Sequence, residues 1–156
     1  MMDWSSARWF DGSGMPLDFQ SILETVSDRS STYNVHVGSD SQPVKDGVVF
    51  AVTLCMYAPG HGAFYFFTRK SSSEKRWKNL GLRLHHESEL GISLADHVRS
   101  ATGIHDITVH ADVNSNPVFK SSKYCDRIQN FIKGMGFKCV IKPNSWAAWV
   151  ADKHAK

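Results

Sequence analysis

Three consecutive segments rich in β-branched and aromatic residues most restrict what this chain can fold into. They cover residues 33–39, 47–57 and 63–69, and the second of them reads GVVFAVTLCMY. Proline, glycine and aspartate lie in the two short connections between them, and these residues favour turns. The pattern therefore predicts three strands that are joined as consecutive antiparallel hairpins.

A helical period replaces the strand pattern after residue 73. Leu90, Leu94, Val98 and Ala101 recur at steps of three and four, as one face of a helix requires, so a helix is predicted over 73–101. The other predicted elements are an irregular arm over 1–16, a short helix over 17–26, strands over 105–112 and 137–142, and helices over 118–135 and 145–154.

An antiparallel meander that is followed by αβαβ, with right-handed crossovers, predicts an α/β fold with one mixed five-stranded sheet. With the strands numbered along the chain, the predicted order is 3-2-1-4-5, and helices lie on both faces. We expect residues 1–30 to form an arm and a short helix that pack on a domain of residues 31–156. This arrangement resembles the ribonuclease H-like fold.

Length and composition exclude several classes of protein. A chain of 156 residues can form one stable domain without disulfides, and its 3 widely spaced cysteines suggest neither a disulfide framework nor a zinc site. No apolar run approaches the ~20 residues of a membrane span, and no signal-peptide pattern is present. We therefore expect a soluble cytoplasmic protein with no membrane partner. The formal net charge of +3 suits an anionic partner without establishing one.

Two aspartates follow the apolar parts of the first and fourth predicted strands. Asp40 lies in the string VHVGSDSQ, and Asp112 ends the string HDITVHAD. If these strands are parallel neighbours, about 4.8 Å apart, the two carboxylates meet at one sheet edge and repel each other unless a cation lies between them. Oxygen ligands of this kind suit Mg²⁺ or Mn²⁺. The sequence therefore predicts a divalent metal site at this edge.

The helices offer two further carboxylates. Glu87 falls in the middle of the apolar face of the long helix, whereas Glu89 is rotated toward its flank. In the last helix we favour Asp152, and His154 is the alternative. Three or four carboxylates around two metal ions, ~3.5–4 Å apart, would support in-line hydrolysis of a phosphodiester bond.

Each carboxylate also has an ordinary structural explanation. An aspartate at the end of a strand commonly makes an Asx turn. Glu87 could pair with Arg83 one helical turn earlier, and Asp152 lies beside Lys153 near the chain end. Only the convergence of these residues on one sheet edge favours the metal site over these alternatives.

Three histidines lie close to these carboxylates in sequence. His36 and His110 share a strand face with Asp40 and Asp112, so we expect them to lie side by side. Burial with satisfied hydrogen bonds is the expected role, and the alternative is that they orient a carboxylate or bind a metal. His86, beside Glu87, could assist proton transfer to the leaving group.

Four strings of the sequence carry a family likeness: GSDSQ, VHADVN, LHHESELGISLADHV and KPNSWAAWVADKHAK. They resemble the YkuK family of ribonuclease H-like proteins, which are small bacterial and phage-type domains, and the likeness runs from about Phe10 to the C-terminus. The resemblance implies the ribonuclease H-like fold and a metal-dependent nuclease site. It places the acidic residues of the wider superfamily on Asp40, Glu87, Asp112 and Asp152.

We therefore expect a metal-dependent nuclease that acts on RNA/DNA hybrids, RNA or branched DNA. Asn114, Asn116 and Lys142 are candidates for contacts with the sugar or phosphate of the substrate. The alternative is a catalytically inactive ribonuclease H-like module that binds nucleic acid or a protein partner, since fold alone does not establish activity.

Overall fold

The computed structural model describes residues 2–156. In chain order the elements are β1 (Trp9–Asp11), β2 (Pro16–Leu17), α1 (Phe19–Arg29), β3 (Asn34–Val44), β4 (Gly47–Ala58), β5 (Gly62–Ser72), α2 (Leu80–Thr102), β6 (Ile107–Asn114), α3 (Ser122–Gly134), β7 (Lys138–Lys142) and α4 (Trp146–Ala155). A short 3₁₀ turn, Lys75–Lys78, precedes α2. Across these residues, seven strands form one sheet in the order β2-β1-β5-β4-β3-β6-β7.

The predicted mixed α/β architecture is confirmed, but the sheet is larger than predicted. Strands β5-β4-β3-β6-β7 follow the predicted order 3-2-1-4-5. Two more strands extend the β5 edge, because β1 pairs antiparallel with both β2 and β5. The irregular arm predicted over 1–16 is therefore wrong for β1 and β2, since strands of two or three residues are too short to show an alternating pattern.

Helices cover both faces of the sheet. Alternate residues of a strand point to opposite faces. On one face, Gly38 of β3 lies so close to α4 that an added Cβ would sit 2.2 Å from the backbone carbonyl carbon of Ala147. On the other face, Gly91 of α2 approaches Val37 and Val109. Because α1 and α3 both contact α2, the sheet separates α4 from a layer of three helices.

One continuous apolar core includes the N-terminal segment. Trp4, Trp9 and Phe19 are buried in the same cluster as the central strands. The rings of Trp9 and Phe19 stack with their centroids 5.2 Å apart, and the indole N–H of Trp9 donates to the carbonyl of Trp4 at 3.0 Å. The N-terminal strands and α1 are thus packed on the rest of the fold. Across residues 2–156, we find no helix with the length and apolar content that crossing a membrane requires.

Two helices, α1 and α2, begin later than the sequence pattern predicts because polar side chains cap them. The side chain of Asn79 accepts a hydrogen bond from the backbone N–H of Leu82, so α2 begins at Leu80 and not at residue 73. Gly103, in the left-handed region with φ of 77°, ends the same helix. In α1 the cap is Asp18, which accepts from Ser21.

The strand pairing leaves an opening at one edge of the sheet. The parallel pairing of β3 with β6 ends at Gly38 and His110, whereas β3 continues to Val44 in its antiparallel pairing with β4. Asp40 therefore lies inside a strand and not at its end, where the sequence pattern had placed it. It is two residues past the last pair between β3 and β6, as is Asp112.

Candidate metal centre

Three carboxylates from three elements meet in this opening. Asp40 comes from β3, Glu87 from α2 and Asp112 from β6, and one carboxylate oxygen of each lies within 4.8 Å of those of the others. Asp40 is only 7% exposed and Glu87 only 4%, while Asp112 is partly exposed. Three of the four carboxylates singled out in the sequence are thus brought together.

Burial and mutual repulsion disfavour the charged forms of these groups. Burial, and then the negative charges of Glu87 and Asp112, raise the pKa of Asp40 far above its usual range. Burial also raises the pKa of Glu87, although a hydrogen bond from Ser41 opposes the shift. A cation among the three oxygens would remove this unfavourable energy.

Two serines of β3 hold Glu87 in place. The hydroxyl of Ser41 donates to Oε2 of Glu87 at 2.5 Å, and the hydroxyl of Ser39 donates to its backbone carbonyl at 2.6 Å. Neither serine was predicted as part of the site, although both lie in the string GSDSQ. The alternation of a strand could have found them, because it places both on the face that α2 covers.

The second oxygen of Glu87 provides a test of whether a metal fits. Among the described residues, Oε1 of Glu87 is buried and accepts no hydrogen bond. A buried acceptor without a partner is costly. A hard cation bound to this carboxylate would give it a partner, so the residues present fit a metal ion with oxygen ligands. The alternative pairing of Glu87 with Arg83 is not formed, because Arg83 instead reaches the carbonyl of Trp77 at 3.5 Å.

Lys142, at the end of β7, supplies a positive charge to the cluster. Its Nζ lies 2.7 Å from Oδ1 of Asp112. Burial acts to lower the pKa of Lys142, but the hydrogen bond and the charge of Asp112 outweigh burial and raise it. The side chain that the sequence analysis assigned to a substrate phosphate is therefore bound to a carboxylate.

Asp152 lies in the same cleft but outside the group of three. The side-chain amide of Gln42 donates to its Oδ1, and Nζ of Lys156 lies 3.2 Å from its Oδ2. Burial acts to raise the pKa of Asp152, but hydrogen bonds with Lys156, Gln42 and Asp40 outweigh it and lower the pKa. Both of its oxygens are thus engaged by other side chains.

The alternative ligands Glu89 and His154 lie away from the cluster. Glu89 is exposed, and its carboxylate is 3.7 Å from the ring of His86. The ring of His86 in turn stacks on Trp77 with a centroid separation of 4.5 Å, outside the carboxylate cleft. His154 stacks on Phe67 at 3.6 Å, where its role is in packing.

His36 and His110 form a pair between the sheet and α4. Nδ1 of His36 and Nε2 of His110 are 2.9 Å apart, and the backbone N–H of Ala147 donates to Nδ1 of His110 at 3.4 Å. Because Nδ1 of His110 accepts, its Nε2 must carry the proton and donate to His36. Burial lowers the pKa of His36 and that of His110, the latter to about 3. The pair is neutral and links β3, β6 and α4.

The carboxylates line a cleft of about 740 Å³. Asn114 and Lys142 lie on its wall with the aromatic residues Phe119 and Trp149, whereas Asn116 does not. The side-chain oxygen of Asn114 accepts from the backbone of Asn116 at 2.9 Å, so it shapes the loop after β6. Neither Phe119 nor Gln42 was predicted as part of this site, although Gln42 lies in the string GSDSQ.

The sequence was compared with known protein families and with curated proteins. Residues 18–156, from the cap of α1 to the C-terminus, match the family described as Ribonuclease H-like. A search of curated proteins finds no match to the chain. All three carboxylates of the cluster lie in the matched range, which covers far more than half of the sequence. The chain therefore belongs to the ribonuclease H-like family.

Proposed function

We propose that this protein is a metal-dependent nuclease that hydrolyses phosphodiester bonds in nucleic acid. The observation that carries the proposal is the cluster of Asp40, Glu87 and Asp112, with a buried oxygen of Glu87 that has no partner among the described residues. Membership of the ribonuclease H-like family supports it. A purely structural cluster would have a hydrogen-bond donor for each buried oxygen.

Asp40, Glu87 and Asp112 would hold Mg²⁺ or Mn²⁺. When bound, such an ion would activate water and stabilise negative charge on the oxygens of the phosphate. Ser41 orients Glu87 through its hydroxyl and Asp40 through its backbone N–H, which donates to Oδ1 of Asp40 at 2.7 Å. Glu87 and Asp40 therefore have fixed positions before any ligand arrives, which is a property that a catalytic site needs.

Lys142 and Asp152 supply a cation and an anion at the cleft wall. Lys142 can leave Asp112 for a substrate phosphate, because its flexible side chain ends in a strongly solvated ammonium. Asp152 is anionic at neutral pH, since its hydrogen bonds lower its pKa, and it offers an acceptor beside Asp40. Together they would hold the phosphodiester and the attacking water in one orientation.

An inactive module that binds nucleic acid is the second candidate function. The ion pair of Lys142 with Asp112 favours it, because this ammonium already neutralises part of the cluster. The hydrogen bond from Gln42 and the ion pair with Lys156 likewise satisfy the fourth carboxylate, Asp152, without a metal. In this case Mn²⁺ would bind weakly and no phosphodiester would be cleaved.

Cleavage assays on a panel of nucleic acids test the proposal. Single-stranded RNA and DNA, RNA/DNA hybrid, duplex and branched DNA are incubated with the protein and Mg²⁺ or Mn²⁺. We expect cleavage that EDTA abolishes and that Asp40→Asn and Asp112→Asn each reduce by about 100-fold or more. Asp126→Asn, an exposed aspartate of α3, is the matched control and should cleave like the wild type. Absence of cleavage on every substrate, or cleavage that survives both substitutions, contradicts the proposal.

A further inference from the structure

Two exposed aromatic side chains line the cleft that holds the carboxylates. Trp149 of α4 is 62% exposed and Phe119, in the loop between β6 and α3, is 51% exposed. The other four tryptophans are buried or half-buried. Trp149 lies on α4, and Phe119 lies in the loop before α3, which packs on the opposite face of the sheet, so the two rings come to the cleft from different parts of the fold.

The structure holds Phe119 in place through its loop. The side-chain oxygen of Asn116 accepts from the backbone of Val118 at 3.1 Å, and the backbone N–H of Phe119 donates to the carbonyl of Asn116 at 3.0 Å. Asn114 closes the preceding turn in the same manner at 2.9 Å. Consecutive turns of this kind give the loop a defined shape. The exposure of Phe119 is therefore a feature of an ordered loop.

The position of Trp149 is also fixed by packing. It lies on α4, whose first turn packs directly on Gly38 of the central strand. The ammonium of Lys153 lies 4.2 Å from the centroid of the Trp149 ring. A large apolar ring that stays exposed at the mouth of a functional cleft indicates a surface for a partner.

Positive charges accompany both rings. Lys153 lies against Trp149, Lys120 follows Phe119 in sequence, and Arg83 and Lys142 line the same cleft. Aromatic faces beside cations are the combination that proteins use to bind single-stranded nucleic acid, since the bases stack and the phosphates pair with the cations. The charges thus match an anionic strand whose bases are unpaired.

The depth of the carboxylates favours the same ligand. Asp40 and Glu87 line the cleft but are buried, whereas the two rings that line it are exposed. A phosphodiester must enter the cleft to reach them, and a strand that is free to bend can do so. In a duplex the bases already stack on their own neighbours, so the two rings would find no free base face.

We propose that the cleft binds a single strand of DNA or RNA, with bases stacked on Trp149 and Phe119 on either side of the phosphodiester at the carboxylates. The inference rests on the proposed function, because it names the substrate of the same site. The inference can also be tested by itself, because binding can be measured without cleavage.

Fluorescence anisotropy of labelled oligonucleotides of about 12 nucleotides tests this inference. The wild-type protein in EDTA is titrated into single-stranded DNA, single-stranded RNA, RNA/DNA hybrid and duplex DNA at one fixed low salt concentration. We expect single strands to bind at least about tenfold more tightly than the hybrid or the duplex. Trp149→Ala and Phe119→Ala should each weaken single-strand binding by about 5- to 150-fold, which corresponds to the loss of one stacked base.

Two controls separate stacking from loss of structure. Met135→Ala removes an exposed apolar side chain outside the cleft and should bind single strands like the wild type. Trp149→Phe keeps a stacking ring and should restore most of the affinity that Trp149→Ala loses. The intrinsic fluorescence of the wild type should be quenched by a single strand, because Trp149 is the most exposed tryptophan among the described residues.

Equal affinity for duplex and single strands, or unchanged affinity in both alanine variants, overturns the inference. Its failure is distinguishable from failure of the proposed function. Single-strand binding without cleavage of any substrate contradicts the nuclease and leaves the inference standing. Metal-dependent cleavage of hybrids or duplexes that Trp149→Ala does not affect contradicts the inference alone.

Discussion

Replacing Asp40 by asparagine should stabilise the metal-free protein and remove its response to a divalent cation. The side chain keeps nearly the same shape, but asparagine neither carries a charge that Glu87 and Asp112 repel nor has to take up a proton to avoid that repulsion. Because Asp40 is buried, this repulsion is only weakly screened by solvent. A residue that serves only to fold the chain would behave in the opposite way, because its loss would destabilise the protein.

The distance between the carboxylate oxygens determines how much Asp40→Asn should stabilise the protein. Two unit charges 4.8 Å apart, the span of the three carboxylate oxygens, repel by about 3–4 kcal/mol at an effective dielectric constant of about 20. Protonation of one group and the ammonium of Lys142 offset part of this energy, so we expect a net gain of roughly 1–3 kcal/mol in the free energy of unfolding. For a chain of this length that raises Tm by roughly 2–10 °C.

The measurement is thermal unfolding of both proteins at pH 7, first in EDTA and then with MnCl₂. At a free Mn²⁺ concentration near 100 times Kd, the wild type should gain about 2.7 kcal/mol, and Asp40→Asn should gain almost none. Asp126→Asn, the exposed control of α3, should match the wild type in both conditions. A lower Tm for Asp40→Asn in EDTA, or an undiminished response to Mn²⁺, would refute this reasoning.

Two further predictions concern the packing of α4. Gly38→Ala should lower the free energy of unfolding by about 1–3 kcal/mol or more, because its Cβ would lie 2.2 Å from the backbone of Ala147 and push α4 off the sheet. Gly134→Ala in α3, where an added Cβ meets nothing within 4 Å, should keep or slightly raise the Tm, because alanine favours a helix. Equal Tm values for the two variants would contradict the packing argument. The contribution of His110 to stability should also fall in acid, because the pKa of His110 in the folded protein, about 3, lies below the ~6.5 of an unfolded histidine. This contribution is fully present above pH 6.5 and is lost as the pH falls below it, by about 2 kcal/mol between pH 6.5 and 5. Urea unfolding at pH 7 and 5 measures this contribution as the difference between the wild type and His110→Asn, because the raised pKa values of Asp40 and Glu87 act in the opposite direction in both proteins. The same pH dependence in both proteins would show that the His36 and His110 pair makes no such contribution.

The central part of the fold was predictable because its signals are local. The change from β-rich segments to a helical period is visible within a few residues, and the rules for strand connection then set the order of the five central strands. The short strands Trp9–Asp11 and Pro16–Leu17 carried no such signal. The extension of β3 to Val44 was also missed, because pairing with the long strand β4 maintains it beyond Asp40.

The carboxylate cluster was predictable for a related reason. Adjacent parallel strands bring Asp40 and Asp112 to one edge, and the phase of α2 points Glu87 and not Glu89 toward the sheet. The residues that hold the cluster were not predictable in this way. Ser41 and Glu87 are 46 positions apart in sequence, so their contact depends on how far α2 slides along the sheet.

The sequence by itself determined which residues are strands and helices, how the central strands are ordered and which acidic residues share an edge, since each follows from periodicity and connection rules. Only the tertiary structure decided which charges are buried and which rings stay exposed. It left one oxygen of Glu87 without a partner among the described residues, bound Lys142 to Asp112 and placed Trp149 and Phe119 around the cleft. These features depend on distances of a few ångströms between segments far apart in the chain, and such distances are set when the helices pack on the sheet.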